Sequence, residues 1–419
     1  MHAEVMMLLI SGGTLEIIAV QAMRLRFKMS AKCEPEIFII VLMEQIMVVK
    51  RVLYYMILGL SFFSCQNRDR EKETFTFEEE KKTIDFSKEV LTPIISSFSL
   101  YNEDQKHYHI FIDENNNLII TDLQALKLLK VIPIQTGDGP NLVNRGLHKP
   151  IMIDSSLFLV HSYPNYYFIN DKGFVEERIS INNLLRKELR KRNIENPENI
   201  VLSQIRNYRN LTEKGKYIFS IKRMDPFQGE TYPVAPLFAE ITIDKERNIA
   251  IEILPLYFPE DFKSNNNFSY EFAENPLYTV SGDWLVYNYY FSSNVYFYNL
   301  NTGEKKSMSL KISTGENFSP DFNKGNIPTG FADILYDNKK KIIYRNHMII
   351  NDNDPMENLH YLTAYNLEGK LLSEFKIGSN KERLLRNCFI FEGKLHMNPF
   401  FPTSDEELSF VTFNLIKND

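Results

Sequence analysis

The chain has 419 residues, with 48 Lys and Arg against 54 Asp and Glu and a formal net charge of −6. Such mild acidity argues against nucleic acid, which a protein meets with a basic stripe, and mainly favours solubility. Three cysteines cannot staple a chain of this length, so it must hold together by burial, which 13% aromatic residues can supply.

Residues 1–46 carry Met1, Met6, Met7, Met23, Met29 and Met43 and little apolar patterning, and they read as a non-native upstream extension. The informative segment is 47–64. Lys50 and Arg51 form a basic head, and residues 52–63 form an apolar run of about a dozen residues, too short to cross a bilayer as a helix. The run ends at Ser64-Cys65, a small residue before a cysteine, which resembles the lipobox of bacterial lipoproteins. The resemblance implies a signal peptide over 47–64 and a lipid on Cys65. It implies in turn an outer-membrane lipoprotein of the cell envelope, on its periplasmic or its surface side. Residues 65–74 are polar and charged, as a tether should be, and 75–419 form the folded domain.

From residue 75 the chain reads as short strands. A strand at 83–86 precedes the first unit, which has strands at 108–113, 118–121 and 126–134 around the turn Glu114-Asn115-Asn116-Asn117. Further units follow at 157–160, 166–170 and 175–181; at 217–222, 237–243 and 249–254; and at 284–290, 295–299 and 305–312. The last two lie at 341–350, 359–366 and 370–377, and at 388–391, 394–397 and 408–415. One turn recurs, an Asn or Asp followed by a tight loop that often holds Gly, in FINDKGF, ITIDKERN, FYNLNTGE and AYNLEGK. The expected helix, 182–192, sets Leu184, Leu185 and Leu189 on one side and basic residues around the rest, as a surface insertion. Small antiparallel units repeated in this way predict an all-β chain folded as a β-propeller. Six blades are counted, seven stay open, and the strand at 83–86 is placed to complete the last one. A large β-sandwich is the competing architecture.

The leader motif SFFSCQ, the repeats over 75–417 and the turn Gly137-Asp138-Gly139-Pro140-Asn141 together resemble β-propeller lipoproteins of Bacteroidetes type, which include domain-of-unknown-function families. The resemblance implies a location and a fold, and it carries over no catalytic residue.

The second strand of each unit tends to run into polar and aromatic groups. His161, Tyr163, Arg223, Asp225, Tyr287, Tyr289, Arg345, His347 and His396 are therefore the candidate ligand-binding residues. If the units are equivalent, these ends gather on one face, where rings beside amide and guanidinium groups suit sugars or peptide segments. His107 and His109 alternate on one strand with a spacing fit for two metal ligands, but no third ligand stands near, and no metal or other cofactor is expected. Asp113, Asn115 and Asn117 imitate a calcium loop, yet Leu118 stands where that loop needs Gly, so a hairpin turn is expected. Residues 351–354 read similarly. Cys388 lies in an apolar strand and reads as inert.

No nucleophile elbow, phosphate loop or dinucleotide fingerprint is present. The expectation is a lipid-anchored, non-enzymatic envelope propeller that binds a carbohydrate or a protein partner. The alternative is an envelope glycan hydrolase or lyase, with carboxylates drawn from Asp225, Glu230, Asp283 or Asp333.

Overall fold

The computed structural model describes residues 74–418 apart from 87–97, 104–105, 138, 140, 145–146, 203–207, 210–214, 224–235, 245, 260–274, 291, 315–328, 352, 383–384, 400–403 and 405. The chain divides into Met1–Lys72, which lies outside the described residues together with Cys65, and Glu73–Asp419.

The described part is built from antiparallel hairpins. β1 (Phe75–Asp85) comes first. A group of four follows: β2 (Phe98–Glu103), β3 (Lys106–Ile112), β4 (Asn117–Asp122) and β5 (Lys127–Pro133). The next sheet is β6 (His148–Asp154), β7 (Leu157–Ser162), β8 (Asn165–Asn170) and β9 (Val175–Ile179). After helix α1 (Ile181–Lys191), β10 (Ile200–Leu202) and the two-residue β11 (Tyr208–Arg209), the third sheet adds β12 (Lys216–Arg223), β13 (Phe238–Ile243) and β14 (Ile249–Ile253) to β10. The fourth contains β15 (Leu277–Ser281), β16 (Trp284–Asn288), β17 (Asn294–Asn299) and β18 (Lys305–Ser309). The fifth contains β19 (Thr329–Asp337), β20 (Ile342–Ile349), β21 (Leu359–Tyr365) and β22 (Leu371–Ser379). Last come β23 (Leu385–Phe391), β24 (Lys394–Pro399) and β25 (Glu407–Lys417).

β1 lies beside β25 along its whole length, from Phe75 opposite Lys417 to Asp85 opposite Glu407. It meets β5 only where Asp85 faces Lys127. The three C-terminal strands thus take their fourth from the start of the domain. The expected strand at 83–86 is the end of this longer one.

Local chemistry accounts for the hairpins. Asp113 accepts from the Asn117 backbone N–H at 2.7 Å and from its Nδ2 at 2.8 Å, and Asp244 does the same with Asn248 at 2.8 Å and 2.8 Å. The calcium-like spacing is thus a side-chain-closed turn. Asn170, Asn299 and Asn366 accept from backbone N–H groups two to four residues on, the turn read from the sequence. In α1, Ile181, Leu185 and Leu189 are fully buried, one helical face, whereas Leu184 is 37% exposed. Asn182 accepts from the Leu202 N–H at 2.9 Å, so the helix is pinned to β10.

The core lies between the sheets. Ile110, Ile112 and Leu118 of the first group pack with Phe158, Val160 and Tyr167 of the second. A larger cluster joins the second, third and fourth sheets. Val286 and Phe297 of the fourth meet Ile334 and Tyr336 of the fifth, and Leu335 and Tyr344 of the fifth meet Leu395 and Phe413. The last group returns to the first: Phe389, Phe391 and Phe410 pack with Phe98, Phe111 and Ile119. No sheet of this size can bury both faces alone, and fully burying one phenylalanine contributes about 1.5–3 kcal/mol. The chain is all-β and β-propeller-like.

Candidate functional site

The first strands of neighbouring groups pack on one another: β2 on β6, β15 on β19, and β19 on β23. β11 adds a parallel pairing with β2, Tyr208 opposite Ser99 and Arg209 opposite Leu100. Where β15, β19 and β23 turn into their second strands, the chain forms a half-open cavity of about 670 Å³. Its apolar wall includes Leu100, Val280, Ile390 and Phe391, and its polar groups include His107, Asp337, Lys339, Lys340 and Glu392. Concavities that mix apolar walls with convergent polar groups are where small molecules bind in other proteins.

The β19–β20 turn does most of the polar lining. Asp337 is 5% exposed. Its Oδ1 accepts from the backbone N–H of Lys339 at 2.9 Å and of Lys340 at 3.0 Å, which fixes the turn and carries both side chains to the cavity. Its Oδ2 is buried with no hydrogen-bond partner among the described residues. The Lys340 side chain lies close over Gly393, its Cε 2.8 Å from where a Cβ would stand. Neither Lys339 nor Lys340 has an ion-pair partner among the described residues.

The residues chosen from the sequence stand along or just beyond the second strands, and the described ones do not line this cavity. His161 is buried against the Tyr166 ring at 4.5 Å, and Tyr163 is 58% exposed. Tyr287 and Tyr289 belong to the core, with Tyr287 stacked on Tyr296 at 5.1 Å. Arg345 is fully buried. It donates to the carbonyls of Ser293, at 2.8 Å, and Ser292, and its guanidinium lies 3.9 Å from the centre of the Phe331 ring. Burial lowers its pKa to about 9. His347 stacks on Tyr361 at 5.1 Å, and its Nε2 is 3.3 Å from Thr314 Oγ1. Burial lowers the imidazole to about 4, although Glu374 opposes this. Glu374 clamps the preceding loop by accepting from Ser313 Oγ at 2.6 Å and Thr314 Oγ1 at 2.7 Å. Arg223 ends β12, and Asp225 lies outside the described residues. The fourth and fifth sheets do bring Tyr289 and Arg345 to one seam, since the Ser292 N–H bonds to the Tyr289 carbonyl. At that seam Tyr289 meets the rings of Phe258, Tyr287 and Tyr296, and Arg345 lies over Phe331.

The histidine pair on β3 divides in role. His107 meets Phe391 edge-on at 5.0 Å and lines the cavity. His109 is fully buried among Phe98, Phe111, Phe389 and Phe410, with neither ring nitrogen bonded among the described residues. Phe389 is stacked between His109 and His396, at 5.6 Å and 5.0 Å. Burial drives His109 down to about 3, with His396 adding to the effect, and His396 falls to about 4 through burial and then Lys82. Both are neutral packing groups at neutral pH. Among the described residues no three of His, Cys, Asp and Glu are grouped to hold a metal ion. The Cys388 thiol is buried, donates to Asp333 Oδ2 at 3.4 Å and accepts from Asn346 Nδ2 at 3.1 Å. Sequence reasoning missed Lys339, Lys340 and Asp337, although Asp337-Asn338-Lys339-Lys340-Lys341 is the densest basic turn of the described chain.

A family model described as "Domain of unknown function (DUF4221)" matches residues 71–376. The chain belongs to this family. The DUF4221 match includes β1 and ends within β22, so the C-terminal strands that pair with β1 lie beyond it. No curated protein matches the chain. Among solved structures, a luciferin-regenerating enzyme is similar at 9% identity over 80% of this chain and 95% of its own, with a TM-score of 0.41. The β-propeller domain of Cps50 (Swd1) from Myceliophteria thermophila gives 9% identity, 79% and 99% coverage and a TM-score of 0.38. An exo-1,5-alpha-L-arabinanase from a bovine ruminal metagenomic library gives 8%, 79% and 95%, and 0.35. At these values none of the three lends this DUF4221 protein a ligand or a reaction.

Proposed function

We propose that this protein is a lipid-anchored, six-bladed propeller of the cell envelope that binds a small ligand in the cavity at its axis and performs no chemistry on it. The six-blade count rests on the strand groups, five closed on themselves in sequence and the sixth completed by β1. The anchor rests on the leader and Cys65, read from sequence.

The observation that carries the binding role is the cavity itself: a half-open concavity that sets His107, Asp337, Lys339, Lys340 and Glu392 beside the apolar side chains of Leu100, Val280, Ile390 and Phe391. The non-enzymatic reading is supported by Asp337, whose Oδ1 is held by the backbone N–H groups of Lys339 and Lys340 in its own turn.

Two measurements test this. Labelled fatty acid should enter the wild-type protein in the bacterial cell and not Cys65→Ala; label in the variant contradicts the anchor. Full-length protein equilibrated with envelope small molecules should retain a compound identified by mass spectrometry, and Ser281→Trp, which fills the cavity, should lose it. Equal retention by both proteins contradicts the site, and turnover of the retained compound contradicts the non-enzymatic role.

A further inference from the structure

Strand direction fixes where the folded domain begins. In the last group Leu395 of β24 faces Phe413 of β25, so the Glu392-Gly393 turn that opens β24 lies level with the last residues of β25. β1 runs antiparallel to β25 and starts at that same end, with Phe75 opposite Lys417 and the Asn418 N–H bonded to the Thr74 carbonyl at 2.9 Å. The Glu392-Gly393 turn lines the cavity, as do the β15–β16 and β19–β20 turns. The domain therefore begins on the face that carries the cavity. Helix α1 enters β10 at Ile200, which pairs with Arg223 at the far end of β12, and so belongs to the opposite face.

We infer that the cavity face is turned to the bilayer that holds the anchor, with Lys339, Lys340 and Lys341 against the headgroups of anionic phospholipid. This rests on the Cys65 anchor proposed above and adds its orientation. Residues 65–74 reach about 35 Å when fully extended and about 17 Å on average. To lay the opposite face on the membrane, the tether must first run back past a blade whose eight-residue β20 alone spans about 26 Å. Charge favours the same orientation. The three lysines are consecutive and exposed in one turn, without an ion-pair partner among the described residues, and Lys341 Nζ donates to Asn338 Oδ1 at 2.8 Å. Glu392 shares the cavity lining but leaves the lysines in excess, and Asp337 is buried. Helix α1 is also basic, yet Arg186 and Arg190 are paired with Glu198, and Lys191 with Glu188. An anionic surface attracts free lysines, and salt weakens the attraction.

The test is acylation of individual lysines, read by mass spectrometry on the lipidated full-length protein. It is run in mild detergent and on vesicles of equal parts phosphatidylglycerol and phosphatidylcholine. On these vesicles acylation of Lys339, Lys340 and Lys341 should slow by about fivefold, the pull of an anionic surface on one lysine, while the exposed Lys187 of α1 reacts as in detergent. Vesicles of phosphatidylcholine alone should give a smaller slowing, and high salt should bring the anionic vesicles to that same value. Slowing of Lys187 equal to or above that of the three lysines, or an unchanged rate at all four, overturns the orientation while protein that floats with the vesicles keeps its anchor. Equal slowing on both kinds of vesicle overturns the role of the lysines. Protein that carries no lipid and does not float with the vesicles overturns the anchor, and this inference with it.

Discussion

Arg345 shows what a buried charge does in this protein. Among the described residues it has no carboxylate partner; the backbone carbonyls of Ser292 and Ser293 and the face of Phe331 hold it. Removing it leaves those carbonyls unmet and a void between two sheets. Arg345→Ala is expected to cost about 3–5 kcal/mol in urea unfolding, and Arg345→Met, which refills the space but donates nothing, about 1–3 kcal/mol. Equal costs would show that the guanidinium's hydrogen bonds contribute nothing. The buried histidines add a pH dependence. His109, His347 and His396 have folded pKa values of about 3, about 4 and about 4, against 6.5 for an ordinary histidine. In that interval the unfolded chain binds more protons than the folded one. Stability is therefore full above pH 6.5 and is lost as pH falls from there through the lowered values, at up to about 1.4 kcal/mol per pH unit for each histidine. His109→Phe should reduce the slope of unfolding free energy against pH by about one proton between pH 4 and 6, and an unchanged slope would contradict the burial of a neutral imidazole.

Among the elements, hairpins of similar sequence carry different loads. The turns after β8 and β17 both use an Asn and a glycine at positive φ, +84° at Gly173 and +73° at Gly303. A Cβ at Gly303 would meet nothing nearer than the Tyr298 hydroxyl at 3.9 Å, so Gly303→Ala should cost only the backbone strain of about 1 kcal/mol. A Cβ at Gly173 would stand 1.9 Å from the Pro133 carbonyl oxygen of the first group. Gly173→Ala must push two sheets apart, and chemical denaturation should show a loss several times larger; equal losses would mean that the sheets do not meet there. These turns were legible because their chemistry is local: an Asn or Asp that bonds its own backbone and a residue that accepts positive φ leave a mark within five positions. The first strands β2, β6, β10, β15 and β19 were not read at all. They follow long connections rather than tight turns, and HKPIMID or TGFADILYD has no clean alternation, since both faces of the strand are covered. Of those strands, β2, β15 and β19 reach the cavity. Arg345, His347 and His396, read from the second strands, are instead buried in the packing of the sheets.

For the whole molecule, the sequence carried the repeat and the need for sheets to cover one another, because aromatic and β-branched residues recur at a regular spacing. It could not show which turns converge, since that depends on how the groups are arranged around a common centre. β1 is the element on which that arrangement depends. Its burial is modest, with seven of its eleven residues exposed, and it is held by its partner strand. Phe77 packs against Phe375 and Phe413 at 6.2 Å and 6.3 Å, and Ile84 is fully buried beside the Phe389 cluster. Hydrogen exchange by mass spectrometry on the full-length protein follows peptides over 75–85 and 407–417 together. Closure of the ring by β1 predicts that both are protected to the same degree and lose protection together in Ile84→Ala. Exchange of 75–85 at the rate of an unstructured segment, with 407–417 still protected, would contradict it.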